Sequence, residues 1–340
     1  MRGLFPVALV LVAVAAPQVV DAQVYPERIA VKIKRVEAYQ RRGERAEQTE
    51  RKTVQLSGIT SLDVGNISGD ITVTRGSGSD ATIEVIKTAR AGSDQAAREM
   101  LQSVEVVSST RSGRGDIHVQ YPNDSVWRHR NVNVSVTFNV TAPAGVRLSA
   151  KSVSGSIKVS DIKGELSVET VSGNVRVASA GRLATAKSIS GNVEVVDTQV
   201  DGALEASSVS GNVILHRLNA RRLDLGSVSG DVRLLDIQSD RVDAQSISGT
   251  IEFSGALARN GRYDLKSHSG EIRVTVAAGG GFELNATSFS GEVRSELPIT
   301  THGVEGDRGR RRRTLSGTYG DGSAVLDLTT FSGSIVITKK

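Results

Sequence analysis

The chain has 340 residues, a net charge of +5, no cysteine and only 4% aromatic residues. Without cysteine there is neither a disulfide framework nor a lipidated-cysteine anchor, and a charge this small for the length is no nucleic-acid signature. Few rings among abundant Val, Ile, Gly and Ser suit narrow, stacked β interiors better than a broad globular core.

Residues 1–22 read as a secretory signal. Arg2 supplies the positive start, Leu4 to Ala16 form an apolar run, and Val20-Asp21-Ala22 precedes a cut ahead of Gln23. The alternative is an uncleaved N-terminal anchor, although the run is short for a bilayer span and no later segment approaches about 20 apolar residues. Residues 23–53 form a charged lead-in, helical or loose. Residues 54–140 are expected to hold the first coils and a capping insertion. They contain an alternating strand around Ile83 and Val85, a helix starting near Ser93-Asp94, and a strand marked by Val132, Val134, Val136, Phe138 and Val140. Residues 141–340 carry repeats, interrupted at 296–325 by a Gly- and Arg-rich segment expected to be a surface loop. Lys339-Lys340 close the last strand with charges that discourage edge pairing.

The repeat is Ser-Gly followed by x-Val/Ile-x-apolar. Its glycines are Gly155, Gly173, Gly191, Gly211, Gly230, Gly249, Gly270, Gly291 and Gly333, spaced by 18, 18, 20, 19, 19, 21, 21 and 42 residues. An early copy, Ile67-Ser68-Gly69-Asp70-Ile71, stands apart. The fuller consensus is apolar-x-apolar-x-Ser/Thr-apolar-Ser-Gly-x-apolar-x-apolar, as in Leu223 to Leu234. Each half has the period of two of a strand, and the phase switches at the Ser/Thr, so the chain bends there and turns the following apolar residues inward again. The Ser/Thr column, for example Ser208, Ser227 and Ser246, is expected to bond along the stack or to corner backbone groups that the bend leaves unpaired. These features predict an all-β, single-stranded parallel (right-handed) β-helix with coils of about 18–21 residues and an N-terminal capping insertion. A hairpin-based barrel is the rival, but turn pairs such as Asp201-Gly202 recur once per period, not twice.

The stretch Asp63-Val64-Gly65-Asn66-Ile67-Ser68-Gly69-Asp70-Ile71 resembles the opening of a bacterial putative-adhesin family of β-strand repeats with no assigned function. So does Val140-Thr141-Ala142-Pro143-Ala144-Gly145-Val146-Arg147-Leu148 with the Ser-Gly copies after it. The resemblance covers about residues 54–338. It implies an extracytoplasmic β-solenoid in adhesion or envelope sensing, and it transfers no catalytic residue.

Several outward positions are candidate sites. Glu205, Asp224, Asp243, Asp264, Asn285 and Asp327 form an acidic column, with Arg222, Arg241 and Arg262 two residues upstream. This is a charge-neutralised lattice or a ladder for cations or sugar hydroxyls, and the arginines count against calcium. Asp231, Glu252, Glu271 and Glu292 are carboxylates that an enzyme could use on polysaccharide, though no recurring aromatic platform accompanies them. Arg308, Arg310, Arg311, Arg312 and Arg313 form a basic run that is either a solvated, protease-sensitive loop or a site for phosphate-bearing polymers or anionic lipid head groups. The histidines at 118, 129, 216, 268 and 302 lack metal-ligand spacing, and His268, at a corner position taken elsewhere by Val, Ile or Phe, is expected to pack. Trp127 reads as local packing or a contact residue.

The reading that follows is an exported, non-catalytic, adhesin-like or scaffold protein, periplasmic or at the cell surface. No cofactor, metal or catalytic residue is expected. Its partner is an envelope glycan, an anionic polymer or another envelope protein, and nucleic acid is not expected. The alternatives are a polysaccharide-acting enzyme and a polyanion binder working through the arginine loop.

Overall fold

Alternating apolar residues make strands here, and the corner chemistry decides how those strands stack. The computed structural model describes residues 46–122, 133–277, 279–301 and 313–340. Ala46–Lys340 form one compact unit. The signal, most of the lead-in, Trp127, His129, His302, Arg308 and Arg310 to Arg312 lie outside the described residues.

Each Ser-Gly copy supplies two strands that meet at a corner, such as Glu165–Ser172 and Val175–Ala178. Equivalent strands of successive copies pair in parallel. Val175, Val193, Val213, Val232, Ile251 and Ile272 are therefore successive neighbours along one ladder, as are Leu148, Leu166 and Leu183 along another. All of these side chains are buried. Fully burying a Val, Leu or Ile stabilises the fold by roughly 1.5–3 kcal/mol relative to leaving it exposed. Middle copies add a short third pairing, with Thr198 beside Leu218 and Leu218 beside Ile237. Their strands run on as Val193–Ser208, Val213–Ser227, Val232–Ser248 and Ile251–Ser269. Asp197, Arg217 and Asp236 bend the chain between these faces with left-handed φ values of 51°, 50° and 53°.

Two polar columns close the Ser-Gly corner. Ser188 donates to the Gly173 carbonyl at 2.8 Å, Ser208 to Gly191 at 2.8 Å and Ser227 to Gly211 at 2.9 Å. In the first layer Asn66 takes this position, and its Nδ2 donates to the carbonyls of Gly69 and Val136. Just past the glycines, the backbone N–H of Asn192, Asn212, Asp231 and Thr250 each donates to the side-chain oxygen of the layer before, at 2.9 Å in every case. The bend thus leaves these backbone groups paired.

The expected helix is Asp94–Ser103, capped by Ser93, whose hydroxyl accepts from Ala96 N–H at 3.2 Å. It packs on the strands Ala46–Leu56 and Ala81–Ala91 through Ala97 and Leu101. The first of those strands corrects the lead-in, because residues 46–53 are paired antiparallel to Ala81–Ala91 and are neither helical nor loose. Cross-strand charge explains the pairing: Arg90 meets Glu47 at 2.7 Å, Lys87 meets Glu50 at 3.1 Å and Arg51 meets Glu84 at 3.1 Å. The strand marked by alternating valines runs over Val134–Pro143. The early Ser-Gly copy joins the stack directly, with Ser61–Ser68 beside Arg147–Ser154.

The C-terminal copies do not stack in chain order. Strand Ala324–Ser332 lies between Ile251–Ser269 and Phe282–Ser288, so the last copy in sequence is the penultimate layer. A strand has two edges. Thr314–Tyr319 runs antiparallel along one edge of Phe282–Ser288 and leaves only the other for the strand that follows. The 296–325 segment is therefore not simply a surface loop: Thr300–Thr301 and Thr314–Tyr319 are strands. The final strand, Ile335–Lys339, lies between Ile272–Val276 and, over Ile335 to Ile337, Val293–Ser295, so Lys339 pairs on one side only, and Lys340 forms an ion pair with Asp236.

Candidate functional site: an apolar row on the outer face

The strand before each corner exposes every second residue, and stacking turns those positions into rows. One row holds Arg222, Arg241 and Arg262, and the next holds Glu205, Asp224, Asp243, Asp264, Asp327 and Asn285 in that spatial order. A third, mixed row includes Lys151, Glu169, Lys187 and Lys266 beside the uncharged Ser207, Gly226 and Gln245.

The fourth row is apolar. Ile67, Val153, Val171, Ile189 and Val209 occupy its first five layers, and Val228, Ile247, His268, Phe331 and Phe289 the next five. The nine apolar members are all exposed, from 40% at Val228 to 64% at Phe289. This inverts ordinary patterning, because the residue before each one is a buried Ser, Thr or Asn. The corner residue was expected to turn inward with the second strand. The Ser/Thr hydroxyl must point in to reach the glycine carbonyl, so its successor points out, and the chain turns only after it. His268 shares this exposed row and stacks on Phe331 at 5.0 Å and 9°, while Phe331 stacks on Phe289 at 4.7 Å and 6°. The apolar and mixed rows bound a groove of about 1050 Å³ floored by the Ser/Thr column. Glu169 is the one carboxylate among the described residues lining it.

The acidic column from Glu205 to Asn285 lies on the same strand face as this row. Arg222 contacts both oxygens of Asp224, at 2.8 and 2.9 Å, and Lys266 holds Asp264 at 2.6 Å. Gln245 donates to Asp243 at 3.0 Å, and Arg262 reaches Asp327 in the next layer at 3.3 Å. Asp231, Glu271 and Glu292, beyond the corner, bind Arg233, Arg273 and Arg294 at 2.6, 2.6 and 2.7 Å. Arg233 also lies 3.8 Å from Glu252. The described residues contain no group of three or more His, Asp or Glu able to hold a metal. Arg313, the described member of the basic run, is exposed, and its carbonyl accepts from Ser288 N–H at 2.7 Å. His118 lies 2.8 Å from Asp116, and His216 lies beside Arg217 and Asp236.

A second charged cluster sits at the left-handed bends. Arg217 holds the Asp197 carboxyl below its ordinary value of 3.8 through hydrogen bonds, and Lys340 does the same for Asp236. Near the N-terminal end the Gly58 N–H lowers Asp80, and the Asn139 amide lowers Glu84. Carboxylates depressed in the fold contribute stability above their unfolded pKa, and that contribution is lost as pH falls through the folded value. The melting temperature should therefore hold between about pH 7 and pH 5 and fall below about pH 4. Thermal denaturation across that range should show a shallower fall for the Asp197→Asn/Asp236→Asn variant.

The geometry defines a class: an all-β stack of parallel strands with a long, ridged outer face. The chain belongs to the Toastrack DUF4097 family, whose model matches residues 59–338. Among solved structures it is similar to a "putative adhesin" from Bacteroides fragilis, at 12% identity over 86% of this chain and 97% of that one, with a TM-score of 0.41. It is also similar to a "putative lipid binding protein" from Parabacteroides distasonis (14% identity, 86% and 97% covered, TM-score 0.45) and to a "putative cell adhesion protein" from Clostridium sporogenes (13%, 87% and 100%, TM-score 0.23). A search of curated proteins finds no match. No helix among the described residues is long and apolar enough to cross a membrane.

Proposed function

We propose that this chain is an exported, non-catalytic, adhesin-like scaffold of the cell envelope, built as a right-handed solenoid of 18–21-residue coils, and that it binds through the apolar row. The observation that carries the reading is the row itself. Large apolar side chains recur at the same outward position from Ile67 to Phe289, where a polar strand former would keep the fold. A continuous exposed apolar strip of this kind marks an interaction surface. Catalysis on polysaccharide would need carboxylates converging in a cleft. Here Asp224, Asp264, Asp231, Glu271 and Glu292 each carry a cation, and Glu169 is the one carboxylate among the described residues lining the groove.

The test is cosedimentation of the purified chain with bacterial envelope fragments, together with an assay for released saccharide. Binding should survive a rise from about 0.1 to about 1 M salt, which screens surface charge. It should weaken at least about tenfold in Val228→Lys/Ile247→Lys. Salt-sensitive binding that is kept in that variant and lost when Arg310 to Arg313 become Ser would move the function to the basic run. Release of soluble saccharide would overturn the non-catalytic reading.

A further inference from the structure

We infer that the occupant of the apolar row is a second copy of this chain, docked face to face and antiparallel about a two-fold axis that crosses the row between Val209 and Val228. The inference rests on the reading that the row is a binding face, and it adds the partner.

Three observations carry it. The first is area. The nine exposed apolar side chains keep 40–64% of their surface. At roughly 150–200 Å² for a fully exposed side chain of this size, they offer roughly 750 Å² per copy, so that a pair would bury roughly 1,500 Å², the size of a standard specific interface.

The second is shape. Bulk is graded along the row, with Val and Ile through its first seven layers and rings in its last three. Antiparallel docking about that axis sets Phe289 against Ile67, Phe331 against Val153 and His268 against Val171. Ile189 then meets Ile247, and Val209 meets Val228. Each ring faces an aliphatic chain, so the spacing between the two faces stays even from end to end. Parallel docking would set ring on ring at one end and isoleucine on isoleucine at the other.

The third is charge. The same two-fold brings the mixed rows together and places Glu169 opposite Lys266. The centre is occupied by Ser207 opposite Gly226, small enough for close approach, and Lys187 and Lys151 face the uncharged Gln245 and Thr329. No like charges meet across that row. Glu205 and Asp224, which approach further out, already carry Lys187 at 2.6 Å and Arg222 at 2.8 Å. Isologous contact of this kind is the commonest symmetry of soluble oligomers.

The chain has no cysteine, so an introduced one reports unambiguously. Light scattering on the purified chain in the micromolar range should give twice the chain mass, and Val228→Lys should return it to one chain that keeps the parent's far-ultraviolet circular dichroism and cooperative unfolding. Under mild oxidation, mixed Val209→Cys and Val228→Cys chains should cross-link several-fold more than either alone, and Phe289→Cys should pair with Ile67→Cys rather than with itself. A single-chain mass throughout, a dimer that persists in Val228→Lys, or preferential Phe289→Cys self-linkage would each overturn the inference. A single-chain mass together with envelope binding that is still lost in Val228→Lys/Ile247→Lys would overturn only this inference and leave the binding reading standing.

Discussion

Gly230→Ala should lower stability by about 3 kcal/mol, because the new methyl has nowhere to go. A Cβ on Gly230 would run into the carbonyl of Gly211 in the preceding layer, and that carbonyl already accepts the Ser227 hydroxyl. Relief would require separating two layers that are paired in register on both sides of the corner. The clash is steric, so a left-handed φ is not the reason. The neighbouring Gly226→Ala supplies the control, since nothing lies within 4 Å of a Cβ there and the residue sits in an extended strand. That change should be neutral or stabilising by about 0.5 kcal/mol, through the lower backbone entropy of alanine in the unfolded chain. Urea denaturation of the two variants beside the parent measures both effects, and equal losses would remove the corner from the account.

Tyr263→Ala should cost about 4 kcal/mol, and Tyr263→Phe about 1–2 kcal/mol. Tyr263 replaces the aliphatic residue found in equivalent layers, Leu223 and Val242, and is wholly buried. Its ring packs edge-on against Phe253 at 5.3 Å. Its hydroxyl donates to the Ser239 carbonyl at 2.6 Å and accepts from Ala258 N–H at 2.8 Å, tying two layers together where the third face ends. Alanine would leave a ring-sized cavity, whereas phenylalanine keeps the packing and strands the buried Ser239 carbonyl and the part-buried Ala258 N–H. Burial raises the phenol pKa, so the pair of bonds persists through neutral pH. Thermal or urea unfolding of the two variants separates the packing part from the hydrogen-bonding part.

How far the sequence spoke for the structure depends on whether a feature is local or spatial. The Ser-Gly copies were legible because the steric and hydrogen-bonding demands of the corner admit few residues, and they recur with each layer. The hydroxyl column and the capped helix at Ser93 followed from local chemistry of the same kind. Asn66 does not show in the consensus, because it meets the same demand with an amide in place of a hydroxyl. The strand Ala46–Leu56 was masked by its charges, which only its partner Ala81–Ala91 makes sense of. The overtaking of Phe282–Ser288 by Ala324–Ser332 was not legible, because spacing counts residues and not which edge of a strand is free. The acidic column was legible in composition, although the cations that pair with it, Lys266 and Arg262 among them, come from positions that only the register defines.

The apolar row was in plain view in the consensus, as the residue between the Ser/Thr and the Ser-Gly. Parity assigned it inward with the strand that follows. The missing signal was the hydroxyl: once Ser227 must point in to reach Gly211, Val228 must point out. The same logic places Ile189, Val209 and Ile247, and it turns a pattern first read as core into the outer face.

The most direct test of that face uses the absence of cysteine. A polarity-sensitive dye on Ile247→Cys, compared with the same dye on Arg176→Cys on the strand face beyond the corner, reports which surface is covered when the chain, diluted to a single copy, binds envelope fragments or a second copy. The account predicts a blue shift and protection at position 247 with little change at 176. Binding that leaves the dye at 247 in water, or that covers position 176 instead, would contradict it.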